Sequence, residues 1–141
     1  MNEQLAGALA AEEAAIYAYG LIGVHLTRVS EVSGARDSEQ EHRRRRDYLV
    51  DRLDELKTGA PPAPAGYRLP FEVTNRASAL KLAVHVEDGV AQAWRAVLPV
   101  TEKNARNDAL SAMTDSAVRA TAWRRFAGIT PLTMAFPGRP S

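Results

Sequence analysis

The run Gly59-Ala60-Pro61-Pro62-Ala63-Pro64-Ala65-Gly66-Tyr67-Arg68-Leu69-Pro70 decides how this chain folds. Proline has no amide hydrogen to give to a helix, and its ring clashes with the preceding turn, so this segment excludes a helix interior. It is a connection, and its reach sets the topology. About 17 extended residues span up to about 55 Å at about 3.3 Å each, whereas a helix of about 24 residues is only about 36 Å long. Residues 59–75 can therefore travel the whole length of a bundle, so that the helices they join run parallel. The alternative is that they separate two helical hairpins in an open or dimer-swapped arrangement.

On either side of this crossover the hydrophobic period is helical. Segments 4–26 and 76–98 are rich in alanine and leucine, lack internal proline and carry apolar residues at spacings of three and four. In segment 30–58, Leu49, Leu53 and Leu56 share one face with charges opposite. After Pro99, Thr101 offers an N-cap and Glu102 an acidic first turn for a fourth helix, 102–127, which Gly128 and Pro131 stop. No strand pattern remains. Short turns join helices one to two and three to four, which makes each of those pairs antiparallel. The expectation is a single all-α domain over residues 1–141, a four-helix bundle of the ferritin-like kind with one long crossover between helices two and three. The tail, 128–141, carries Leu132, Met134 and Phe136 and is expected to lie against the bundle.

Composition narrows the classes of function. A length of 141 residues with 45% hydrophobic and 25% charged content suits one buried core. Eighteen basic against 17 acidic residues leave a net charge of +1, so nothing global draws the chain to nucleic acid or to an anionic membrane. Four consecutive arginines, Arg43 to Arg46, spread over about 300° of a helix and cannot form one basic face. Asp47, Asp51 and Glu55 nearby point to a solvated, ion-paired surface instead. The absence of cysteine excludes disulfides, thiolate metal sites and a cysteine nucleophile. No stretch approaches the about 20 apolar residues that span a bilayer, and the N-terminus does not read as a signal peptide, so a cytoplasmic location is expected. No glycine-rich phosphate loop or Ser/His/Asp arrangement is present.

Polar residues interrupt the apolar seams. Leu80, Val84, Glu87, Ala91, Trp94 and Leu98 alternate by four and three on the third helix, which places Glu87 inward. Leu5, Leu9, Glu12, Ile16 and Tyr19 do the same on the first, with Tyr19 the one aromatic whose hydroxyl can reach the polar centre. Reading the second helix back from Leu56 through Leu53 and Leu49 puts Arg46, His42 and Glu39 on its seam, the last two at an i, i+3 spacing that aims both at one place. Counting outward from the turns brings Glu12 level with Glu39 and His42, and Glu87 level with Asp115. Buried acids at one level must bind cations, pair with arginines or hold protons.

Two readings follow. Glutamates from two helices and a Glu-x-x-His from each of the other two hold two iron or manganese ions in bundles of this kind. Here Glu39-Gln40-Glu41-His42 completes one such motif, while Asp115-Ser116-Ala117-Val118 offers a shorter acid and no histidine. Glu12, Glu39, His42, Glu87 and Asp115 are thus candidate ligands for one iron or manganese ion. The other reading is a metal-free layer in a structural or interaction bundle, expected to be a homodimer, whose acids are neutralised by Arg46 and Arg119.

The stretches Ala11 to Gly20, Glu41 to Asp47, Pro61 to Phe71, Glu87 to Arg95 and Pro131 to Gly138 resemble the ferritin-like family of unknown function widespread in actinobacterial proteins. The likeness covers nearly the whole chain. It is similar more remotely to bacterioferritin, through Glu12 followed seven residues later by Tyr19 and through Glu39 with His42. The resemblance implies the fold and, by analogy, a di-iron ancestry, with Val118 departing from the second Glu-x-x-His.

Overall fold

In the computed structural model, which describes residues 1–140, the chain forms four α-helices: α1 (Asn2–Ile22), α2 (Val29–Glu55), α3 (Arg76–Arg95) and α4 (Lys103–Ala127). There is no strand among the described residues. Short 3-10 turns, Gly23–His25 and Leu98–Val100, follow α1 and α3. The third helix therefore ends earlier than the apolar period suggests. Pro99 lies in the second of these turns and cannot extend an α-helix.

Local chemistry explains most of the other boundaries. Asn75 accepts the backbone N–H of Ser78 at 2.9 Å while the Ser78 hydroxyl accepts that of Asn75 at 3.1 Å, a reciprocal cap that starts α3. Gly128, at φ 70°, turns the chain left-handed after α4, and the Ile129 N–H closes back onto the Arg124 carbonyl at 2.9 Å. The expected cap at Thr101 is not used. Arg28 and Glu102 hold the N-cap positions of α2 and α4 without side-chain bonds, and the Thr101 hydroxyl instead donates to the Val97 carbonyl at 2.9 Å.

Side-chain pairs establish the directions of the helices. Glu12 meets His42 and Arg45, and Tyr19 stacks on His42, so α1 and α2 run antiparallel. Tyr19 meets Glu87 while Glu12 meets Trp94, which sets α1 antiparallel to α3. Arg119 reaches Asp37 and Ser38, Asp115 and Ser116 reach Arg45, and Asp108 reaches Tyr48, so α4 opposes α2. At one end Arg76 grips buried Glu31 at 2.5 Å and the Phe126 carbonyl at 3.2 Å, tying the starts of α2 and α3 to the end of α4. Helices α2 and α3 are thus parallel, and the long connection between them crosses the bundle. On its way Tyr67 packs against Tyr17 with ring centroids 5.0 Å apart, and Phe71 lies beneath Lys81 and edge-on to His85.

Two apolar clusters fill the interior. One gathers Leu5, Leu9, Leu49, Leu53, Trp94 and Val97, the other Tyr19, Ile22, Leu26, Leu80, Leu82 and Trp123. The segment Asn2–His25 is, by length and composition, apolar enough to cross a membrane, contrary to the expectation from the sequence. Its Leu5, Leu9, Ala15 and Ile22 are buried in these two clusters.

Candidate functional site

Between the two apolar clusters lies a buried polar layer. Its centre is the imidazole of His42, which has no solvent exposure and no free ring nitrogen. Nδ1 lies in a very short contact with Glu12 Oε2, and Nε2 is 2.8 Å from Glu87 Oε2. Both carboxylates are themselves fully buried. Burial by itself disfavours the imidazolium, but hydrogen bonds to Glu12 and Glu87, and their charges, outweigh it, and the pKa of His42 is pushed up to about 9. At neutral pH the ring is a cation donating from both nitrogens.

Each carboxylate has further donors. Glu12 Oε1 accepts the indole N–H of Trp94 at 2.7 Å and faces Arg45 Nη1 at 3.4 Å. Glu87 Oε2 accepts the Tyr19 hydroxyl at 2.5 Å, and that hydroxyl in turn accepts the Trp123 indole N–H at 2.8 Å. Burial first, and then the negative charge of Glu87, holds the Tyr19 phenol well above its ordinary pKa, so it remains a donor. Glu87 Oε1 is buried with no hydrogen-bond partner among the described residues.

A second cation comes from Arg45, whose side chain is 3% exposed. Besides Glu12 it donates to Ser116 Oγ at 2.9 Å, and it pairs tightly with Asp115. Arg119 holds the same Asp115 oxygen at 2.7 Å and reaches Ser38 and Asp37 at 3.0 and 2.8 Å. Burial alone opposes the Arg119 charge, but the bonds to Asp115 and Asp37 outweigh it and raise its pKa. The buried acids of the layer thus come from α1 and α3, and the cations that face them, His42 and Arg45, come from α2. A cleft of about 240 Å³ between α2 and α4 opens onto Arg45 and Trp94, walled by Glu41, Tyr48, Asp108 and Asp115.

Of the five candidate residues, three converge: Glu12, His42 and Glu87. Asp115 sits at the edge, 39% exposed and held by the two arginines. Glu39 lies elsewhere, partly exposed and 3.8 Å from Arg43 on the same helix. The inward face of α2 is Ala35, Ser38, His42, Arg45, Leu49 and Leu53, so the seam passes through Ser38 and Arg45 in place of Glu39 and Arg46. Arg46 pairs with its neighbour Asp47 at the surface. Both seams alternate by three and four and share His42, Leu49 and Leu53, so spacing alone did not separate them. The small residues Ala35 and Ser38 were the available signal. Among the described residues no group of three His, Asp or Glu side chains is arranged to hold a metal ion.

Known proteins place this architecture without assigning it an activity. The chain is similar to a conserved hypothetical protein from Mycobacterium tuberculosis, whose crystal structure superposes with a TM-score of 0.83 at 41% identity over 89% of this chain and 95% of that one. A comparison with curated proteins returns no match. From residue 4 to residue 141 the sequence matches one family model, and the chain belongs to that family, described as Domain of unknown function (DUF4439).

Proposed function

We propose that this chain is a ferritin-like helical bundle in which protonated His42 and Arg45 supply the positive charge that metal ions supply in related bundles, and that it serves as a metal-independent structural or interaction scaffold. The observation that carries this reading is the engagement of both His42 nitrogens. A metal-ligating imidazole must offer a lone pair, and an imidazolium donating to Glu12 on one side and Glu87 on the other has none. Nor does the remaining donor set fit iron or manganese: Asp115 is held by two guanidinium groups, Glu39 faces away, and Arg45 brings its charge against Glu12.

The competing reading, one bound transition metal, has one observation in its favour, the unpartnered Glu87 Oε1. It requires His42 to lose a proton and release one of its carboxylates. Metal analysis of protein purified without chelator, repeated after anaerobic reconstitution with Fe(II) and with Mn(II), decides between them alongside the ¹⁵N spectrum of His42 at neutral pH. The scaffold reading expects substoichiometric metal and a doubly protonated ring. Stoichiometric metal with a shifted His42 nitrogen overturns it.

A further inference from the structure

Away from the polar layer, the C-terminal tail roofs a gap between α3 and α4. Gly138 anchors the roof: it is buried at φ 76°, and a Cβ there would stand 2.7 Å from the Ala91 carbonyl oxygen. Arg95 donates to the Pro137 carbonyl at 3.3 Å, and Arg124 approaches the Met134 sulfur at 3.7 Å. Beneath lies an apolar cleft of about 260 Å³, left open because Ala91 and Ala117 are small and lined also by Met113, Val118, Met134 and Pro137. An enclosed apolar cavity of about 150 Å³ is enough to take up benzene. The two methionines can adapt to the shape of an occupant, and Val118, 62% exposed, leaves apolar surface that an occupant would cover.

The charges around the cleft select the kind of occupant. On its polar wall Arg124 pairs with Asp88, but that pair uses one arm of a guanidinium with five N–H donors. Where the tail crosses, Arg95 and Arg139 flank Gly138 and add two positive charges near the single negative charge of Asp88. The lining itself holds one cation, Arg124, and one anion, Asp88, and the N–H groups of Arg124 that the pair does not use, with Arg95 and Arg139 in the adjoining clefts beside Gly138, suit a small amphiphile bearing an anionic head. We propose that the cleft between α3, α4 and the tail binds small monocarboxylates, the hydrocarbon body lying between Met113, Ala117 and Met134 and the carboxylate accepting from Arg124.

The chain has three methionines, and the third, Met1, lies at the N-terminus, so ¹³C-methyl methionine spectra report on the cleft with an internal control. Titrations of the full chain with octanoate, octanol and octylammonium are compared. Octanoate is expected to shift Met113 and Met134 saturably without moving Met1, and to bind at least tenfold more tightly than either of the others. Ala117→Leu, which fills the cleft from a half-buried position, is expected to remove the response while the circular dichroism spectrum is retained. Arg124→Gln is expected to weaken octanoate at least tenfold and leave octanol unchanged. No saturable shift with octanoate, equal affinity for octanol, or binding that survives Ala117→Leu each overturns the proposal.

Discussion

Trp94 reaches Glu12 across the bundle, its indole Nε1 donating to Oε1 at 2.7 Å with neither side chain exposed to solvent. The bond ties α3 to α1 beside a carboxylate whose other oxygen is committed to His42. Trp94→Phe keeps most of the apolar volume and removes the donor, leaving Oε1 with only Arg45 at 3.4 Å. A buried charged acceptor losing its best donor, together with the small void left by the lost ring, should cost about 2–4 kcal/mol. Chemical denaturation of the two proteins at pH 7 measures this difference.

The same layer makes stability depend on pH in an unusual direction. The His42 pKa rises from an ordinary 6.5 to about 9 in the folded chain, so folding favours the protonated ring. The resulting stabilisation is fully present below pH 6.5 and fades as the pH rises through 9, where the folded ring also loses its proton. The loss over that window is on the order of 3 kcal/mol. Denaturation midpoints between pH 6 and pH 10 should fall accordingly. In a triple variant with Glu12, His42 and Glu87 all replaced by glutamine, the slope contributed by this group should vanish.

Arg45 and Arg46 are adjacent and chemically identical, yet they lie in opposite environments. Arg45 is buried among Glu12, Asp115 and Ser116, while Arg46 pairs with Asp47 at the surface. Arg45→Met removes the charge that balances buried Glu12 and should cost about 3–5 kcal/mol. The exposed pair offers little, so Arg46→Met should change stability by less than about 1 kcal/mol. Comparable losses in the two variants would contradict the assigned seam.

That pair also marks where the sequence stopped being readable. The four helices, the crossover and the inward positions of Glu12, Glu87 and His42 all follow from helical spacing and from the long proline segment, because those features are properties of single elements. The choice of Arg45 over Arg46 is not. A rotation of α2 about its axis by a fraction of a turn exchanges the two, and it is fixed by what α4 presents, namely Asp115 and Ser116. Depth along the bundle sets Asp115 level with Glu87, but Asp115 pairs with Arg119 four residues on, as the metal-free reading expects, and with Arg45 of α2, where that reading names Arg46. The role of Trp94 as a donor to Glu12 was hidden for a related reason: an inward tryptophan reads as packing until an acceptor is known to lie opposite.

Glu12 and Glu87 flank the same ring, yet their replacement by glutamine should not be equivalent. Glu12 accepts on both oxygens, from His42 on one and from Trp94 and Arg45 on the other. In Glu12→Gln the new amide must turn its N–H groups either toward the imidazolium or toward the indole and guanidinium, so donor meets donor whichever way it lies. Glu87 receives both of its bonds on Oε2 and leaves Oε1 without a partner. In Glu87→Gln the carbonyl can remain on Tyr19 and His42 while the NH₂ takes the unpartnered position. Both variants remove one counter-charge of His42, so the donor conflict is the difference between them. Glu12→Gln is expected to be less stable than Glu87→Gln by about 1–3 kcal/mol, the cost of an unsatisfied buried polar group. Equilibrium denaturation of the two single variants at pH 7 checks the order, and a reversal would mean that Glu87, not Glu12, carries the tighter set of bonds.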